Sequence, residues 1–93
     1  MLKSKTALIT GSTSGIGLGI ASAFAAQGAN VILNGFGNAK EIEALRDSIA
    51  TEHDVQVRYD GADLSKQDEI ETMIAKALAE FGAIDILVNN AGI

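Results

Sequence analysis

Thr10-Gly11-Ser12-Thr13-Ser14-Gly15-Ile16-Gly17 crowds three glycines and three small hydroxyl side chains between an apolar run and a segment of helical periodicity. Glycine lets a backbone turn sharply and approach a ligand closely, while the unpaired amides and positive end of a following helix stabilise an anion. Ser12, Thr13 and Ser14 can add hydroxyl donors. Inside a strand-turn-helix unit this chemistry suits a pyrophosphate, and a dinucleotide is then the expected ligand. The plainer alternative, a glycine turn that only redirects the chain, loses to it because of what flanks the turn.

Those flanking elements recur along the chain. Residues 6–10 form a short apolar run that reads as a buried strand, and residues 16–27 repeat apolar positions at Ile16, Ile20 and Phe24 with Ala21 and Ala25 beside them, closed by Gly28. A second strand is expected at residues 30–34. A Gly-rich bend at Gly35-Phe36-Gly37 follows, and Asn38 with Glu41 makes a capping-box-like start for a helix lined by Ile42, Leu45 and Ile49 that ends near His53. Residues 55–59 alternate as a strand nearer a sheet edge. Ser65 is the expected cap of a third helix, whose stripe of Ile70, Met73, Ile74, Ala77, Leu78 and Phe81 stops at Gly82. Residues 84–88 make strand four. Strands alternating with helices need right-handed crossovers, so the fold class is α/β: a Rossmann-type half, βαβαβαβ, with a four-stranded parallel sheet in order 3-2-1-4.

Composition narrows the function classes. The 93 residues are 47% hydrophobic and 20% charged, which reads as one soluble globular unit. A formal net charge of −5 argues against nucleic acid or an anionic membrane as partner. There is no cysteine, the single His53 has no ligand cluster beside it, and no metal site is expected. Thr10, Gly11 and Ser12 interrupt the first apolar run and rule it out as a signal h-region, so the expected location is cytoplasmic.

The spacing Thr10, Gly11, Gly15, Ile16, Gly17 resembles the T-G-x-x-x-G-I-G motif of the short-chain dehydrogenases/reductases. Asn89-Asn90-Ala91-Gly92 resembles that family's N-N-A-G, and Asp63-Leu64 its acidic-apolar pair after strand three. The likeness spans the chain. Residues 10–20 and 24–37 further resemble a bacterial branch of the family that acts on D-3-hydroxybutyrate. The resemblance implies that Gly11, Thr13, Ser14, Gly15, Ile16 and Gly17 surround the pyrophosphate of NAD. It also implies that Asp63 accepts from the adenine amino group, that Leu64 packs on the ring, and that Asn90, Ala91 and Gly92 flank the adenosine ribose. On the residues alone, Asp63 reads equally well as a loop aspartate bonding its own backbone, and Asn89 and Asn90 as a turn after a strand.

Two departures stand out. An acid for the ribose 2′-hydroxyl, or an arginine for a 2′-phosphate, commonly ends strand two in dinucleotide folds; here Gly35 and Phe36 hold that place, and Lys40 is the only close cation. NAD is therefore expected over NADP, with Phe36 at the cofactor or covering the core. The family's catalytic serine and Tyr-x-x-x-Lys pair are also absent: the only tyrosine, Tyr59, is followed four residues on by Asp63. Residues 1–93 are thus expected to be the N-terminal, dinucleotide-binding part of a single Rossmann domain, cut before the rest of the fold. No catalytic residue is expected in it. The whole enzyme would move a hydride between NAD and a small hydroxy acid or ketone, and strand four would be left as an apolar edge through which the chain self-associates.

Overall fold

A computed structural model of the chain describes residues 1–91. Strands β1 (Thr6–Ile9), β2 (Asn30–Asn34), β3 (Val57–Asp60) and β4 (Ile86–Val88) alternate with helices α1 (Gly15–Ala26), α2 (Ala39–His53) and α3 (Gln67–Phe81). The strands form one sheet in the order β3-β2-β1-β4, parallel throughout, as the alternation of elements predicts.

The central strands are apolar through their middles, Ala7 to Ile9 and Val31 to Leu33, because both faces of the sheet are covered. Ala7, Ile9, Val31 and Leu33 point to one face and pack with Ala21 and Ala25 of α1 and Ile49 of α2. Leu8 and Ile32 point to the other and meet Ala62, Met73 and Ala77 beneath α3. The α1 stripe differs from the expected one. Its buried residues are Gly17, Ala21 and Ala25, while Ile16 is 76% exposed. Small residues at every fourth position let α1 sit close on the sheet, and that close approach turns the larger Ile16 outward.

The expected boundaries shift where side chains or helix ends replace ladder bonds. β3 begins at Val57, not Val55, because Asp54 adopts a left-handed conformation and the Val55 amide still bonds the Ala50 carbonyl at the end of α2. β4 begins at Ile86, not Ile84, because the Asp85 carboxylate accepts from the Thr6 amide at 2.8 Å, standing in for a backbone partner. Asn38 caps α2 as expected, its side chain accepting from the Glu41 amide at 3.1 Å. Ser65 does not cap α3. Lys66 holds that position, and the Ser65 hydroxyl is spent on Asp63.

All four strands run the same way, so their carboxyl ends and the loops that follow open on a single edge, where ligands of open α/β sheets bind.

Candidate functional site

Thr10, Gly11 and Ser12 leave β1 under tight constraint. The Ser12 hydroxyl is fully buried; it donates to the Ile9 carbonyl at 2.7 Å and accepts from the Asn34 amide at 3.0 Å, while the Ser12 amide bonds the Asn34 carbonyl. The end of β1 is thereby locked to the end of β2. Thr10 does the same toward β4. Its hydroxyl accepts from the amides of Asn90 and Ala91, each at 3.0 Å, and Asn90 returns a bond from its side-chain amide to the Gly11 carbonyl.

Two glycines are fixed by this packing. Gly11 sits at φ +62, and a Cβ there would come within 3.1 Å of the Ala91 Cα. At Gly17 a Cβ would fall 2.2 Å from the Gly11 carbonyl oxygen and 2.6 Å from the Asn90 side chain. Gly17 is therefore the contact between α1 and the turn, and a side chain there strikes protein. Gly15 is the reverse case. Its φ is +60 and nothing lies within 4 Å of a Cβ built on it, so its missing side chain leaves open space at the amino end of α1.

Beside this turn lies a cavity of about 420 Å³, lined on one side by Gly11, Thr13, Ser14 and Ala91 and on the other by Asp63, Leu64 and Ser65, with Phe36 at its rim. The sequence-derived residues Gly11, Thr13, Ser14, Phe36, Asp63, Leu64 and Ala91 are thus brought together. Gly15 and Ile16 lie on the exposed first turn of α1 outside the lining, Gly17 and Asn90 support it from behind, and Gly92 is outside the described residues. Phe36 is 72% exposed, which removes the core-cover reading of that side chain.

The hydroxyls divide their work differently from the expectation. Ser12 faces the protein and Thr13 donates to the Phe36 carbonyl at 3.0 Å. Ser14, the exposed N-cap of α1, makes no side-chain capping bond and is the hydroxyl left for an anion. Asp63 adopts the local turn: its Oδ1 accepts from the amide and hydroxyl of Ser65 at 3.0 and 2.7 Å. Those Ser65 donors, hydroxyl first, hold the carboxyl below its usual range against a small opposing effect of burial, with Lys66 adding a weaker pull. Asp63 is anionic at neutral pH, and both bonds use one oxygen.

Asn34 and Tyr59 were not singled out by the sequence as site residues. The buried Asn34 side chain donates to the carbonyls of Asp60 and Ala62 at 3.0 and 3.1 Å and so carries the loop that presents Asp63. Its signal was available: a polar residue closing an otherwise apolar strand, as Thr10 also does. The Tyr59 hydroxyl, on β3, donates to the Gly35 carbonyl. It braces the bend after β2.

The arrangement places a glycine turn, a helix amino end and a cavity together at the carboxyl edge of a parallel α/β sheet, and residues 5–93 match the family model for the short chain dehydrogenases. The chain belongs to that family. It is 61% identical over 94 aligned residues to D-beta-hydroxybutyrate dehydrogenase of Cupriavidus necator, covering 100% of this chain and 35% of that protein. It is 41% identical over 93 residues to 3-oxoacyl-[acyl-carrier-protein] reductase FabG of Chlamydia trachomatis serovar D, covering 100% of this chain and 37% of the relative. Among solved structures, L-sorbose reductase from Gluconobacter frateurii, complexed with NADPH and L-sorbose, superposes with a TM-score of 0.89 at 35% identity over 99% of this chain and 35% of that one. The chain therefore spans about a third of the length of the relatives it matches.

Proposed function

We propose that the chain forms the adenosine- and pyrophosphate-binding part of a cytoplasmic NAD-dependent oxidoreductase that converts D-3-hydroxybutyrate or a closely similar small 3-hydroxy acid. The observation that carries this reading is the cavity between the glycine turn and Asp63-Leu64, whose volume suits a nucleoside-sized group. The likeness to the D-beta-hydroxybutyrate dehydrogenase supports the choice of substrate.

The residues fit the cofactor by shape as well as type. Gly15 leaves room at the amino end of α1, where free amides and the Ser14 hydroxyl suit a pyrophosphate. The unused Asp63 oxygen suits an amino group, and Leu64, which also packs on the α3-side core, offers an apolar surface for a ring. When bound, the nicotinamide supplies a hydride acceptor or donor. The chain's own residues bind and orient it. Tyr59 is not placed to move the substrate's proton: its hydroxyl is engaged with the Gly35 carbonyl and it has no lysine four residues on.

Titration of the purified chain with NAD should give a dissociation constant of about high micromolar to millimolar, since only part of the cofactor is held. Gly15→Val should weaken it at least about tenfold by filling the open space and by straining a backbone at φ +60, and Gly15→Asn, which tolerates that conformation, should weaken it through the filled space alone; equal affinity in both would move the site elsewhere. With D-3-hydroxybutyrate and NAD, the chain alone should form no NADH.

A second reading, self-association, is favoured by β4. Among the described residues β4 pairs only with β1, and its Leu87 is 62% exposed. Pairing of β4 with its copy would satisfy the free backbone edge and cover Leu87. Sedimentation should show a dimer or larger species that Val88→Lys weakens; a monomer at high concentration would refute it.

A further inference from the structure

The exposed Phe36 ring divides two cavities. Beyond it, away from Asp63, a second cavity of about 410 Å³ shares Thr13, Ser14 and Phe36 with the first and continues to Asn38, Glu41 and Ile42 at the first turn of α2. The two meet at Thr13, Ser14 and Phe36, so a group that branches from a ribose held in the first cavity and passes Phe36 toward the start of α2 enters this one. We infer that Glu41 is the residue that sets the cofactor's 2′ preference, its carboxylate lining the space a 2′-phosphate would occupy and so excluding NADP in favour of NAD. The inference rests on the dinucleotide reading of the first cavity.

The geometry also explains why the discriminating charge sits here. Position 35, at the end of β2, cannot take the usual acid: Gly35 lies at φ +153, and a Cβ there would fall 2.6 Å from the Thr13 hydroxyl oxygen. That hydroxyl is itself held by the Phe36 carbonyl, and the Gly35 carbonyl by Tyr59, so the bend has no slack to admit a side chain. The next acid along the chain to reach the cavity is Glu41.

Charges of the opposite sign are nearby and must be weighed. The amino end of α2 counts as about half a positive charge. One of its first-turn amides, that of Glu41, is already taken by the Asn38 side chain. Lys40 is exposed and does not line the cavity, whereas Glu41 does and carries a full negative charge. A 2′-phosphate dianion in this space is therefore repelled more than it is attracted.

The experiment is a calorimetric or NMR titration of the chain with NAD and with NADP, for the parent, Glu41→Gln, Glu41→Lys and Glu52→Gln. Glu52 is an exposed acid at the far end of α2 and controls for net charge alone. Glu41→Gln should tighten NADP by about three- to tenfold and Glu41→Lys by more, with NAD changed less than about twofold; the Glu52 variant should leave the ratio alone. In the parent, the preference for NAD should shrink between about 0.05 and 0.5 M salt, because an exposed carboxylate acts through screened charge. An unchanged ratio in both Glu41 variants, or a preference indifferent to salt, would overturn the role of Glu41 while leaving the cavity assignment standing. Failure to bind either cofactor would overturn both.

Discussion

The two walls of the cavity beside the glycine turn are built on different principles. The wall from the glycine turn is held by hydroxyls with buried or half-buried bonds, Thr10 toward Asn90 and Ala91 and Ser12 toward Ile9 and Asn34, and by the Gly17 contact behind it. The Asp63–Ser65 wall is a short turn bonded largely within itself and exposed at its tip, attached to the sheet through Asn34. In the first wall, stability and binding share the same atoms. In the second they are separable, so substitutions should sort by wall.

Gly17→Ala tests the first wall hardest. A methyl 2.2 Å from the Gly11 oxygen forces α1 and the turn apart, and the cost should reach about 3 kcal/mol or more, a large part of the stability of a domain this size. Chemical denaturation should show it, with NAD binding lost in step. Ser12→Ala should follow at about 1–3 kcal/mol, the cost of leaving buried backbone groups without their partner. An unchanged denaturation midpoint for Ser12→Ala would break the comparison, since a wall that loses its buried hydroxyl without penalty is not locked by it.

Asp63→Ala should do the opposite, weakening NAD by about tenfold through loss of a charge-assisted bond while leaving the denaturation midpoint nearly unchanged. The smallest effect concerns protonation. The Asp63 carboxyl is held below its ordinary value, so the stabilisation its charge lends the Ser65 turn is fully present above the unfolded value of about 3.9 and is lost as pH falls through the lower folded one. NMR titration should place its midpoint under that of a free aspartate, and Ser65→Ala should raise it. A midpoint that ignores Ser65 would mean the second wall is not held by its own turn.

The same division governs what could be read from the sequence. The cap at Asn38 and the stops at Gly28 and Gly82 were legible because each follows from local pattern, and the strand order because the alternation of elements marks a Rossmann-type half, whose order is 3-2-1-4. Gly28 and Gly82 do take left-handed conformations, at φ +94 and +81. The inward turn of Ser12 and the supporting role of Gly17 were not, because both depend on atoms brought in from β2 or from the segment after β4. The start of β4 was misjudged for the same reason, since Asp85 completes its bond with Thr6, 79 residues away, whereas the start of β3 was set locally by the left-handed Asp54 at the end of α2. Asp63 shows the limit from the other side. Its loop-bonding reading is realised on the Oδ1 atom, while its position in the cavity lining leaves the second oxygen for the proposed contact with the adenine amino group.

The bonds from Thr10 to Ala91 close 81 residues of chain, and those from Ser12 to Asn34 only 22. Closure over longer separations is entropically dearer and kinetically slower. The glycine turn is thus fastened in two stages: toward β2 as soon as the first strand-helix-strand unit forms, and toward Asn90 and Ala91 only after β4 docks beside β1. At a synthesis rate of about 5–20 residues per second, several seconds separate the emergence of Asn34 from that of Asn90 and Ala91. Through that interval the site can be no more than half made, the Thr10 hydroxyl still waiting for its amides.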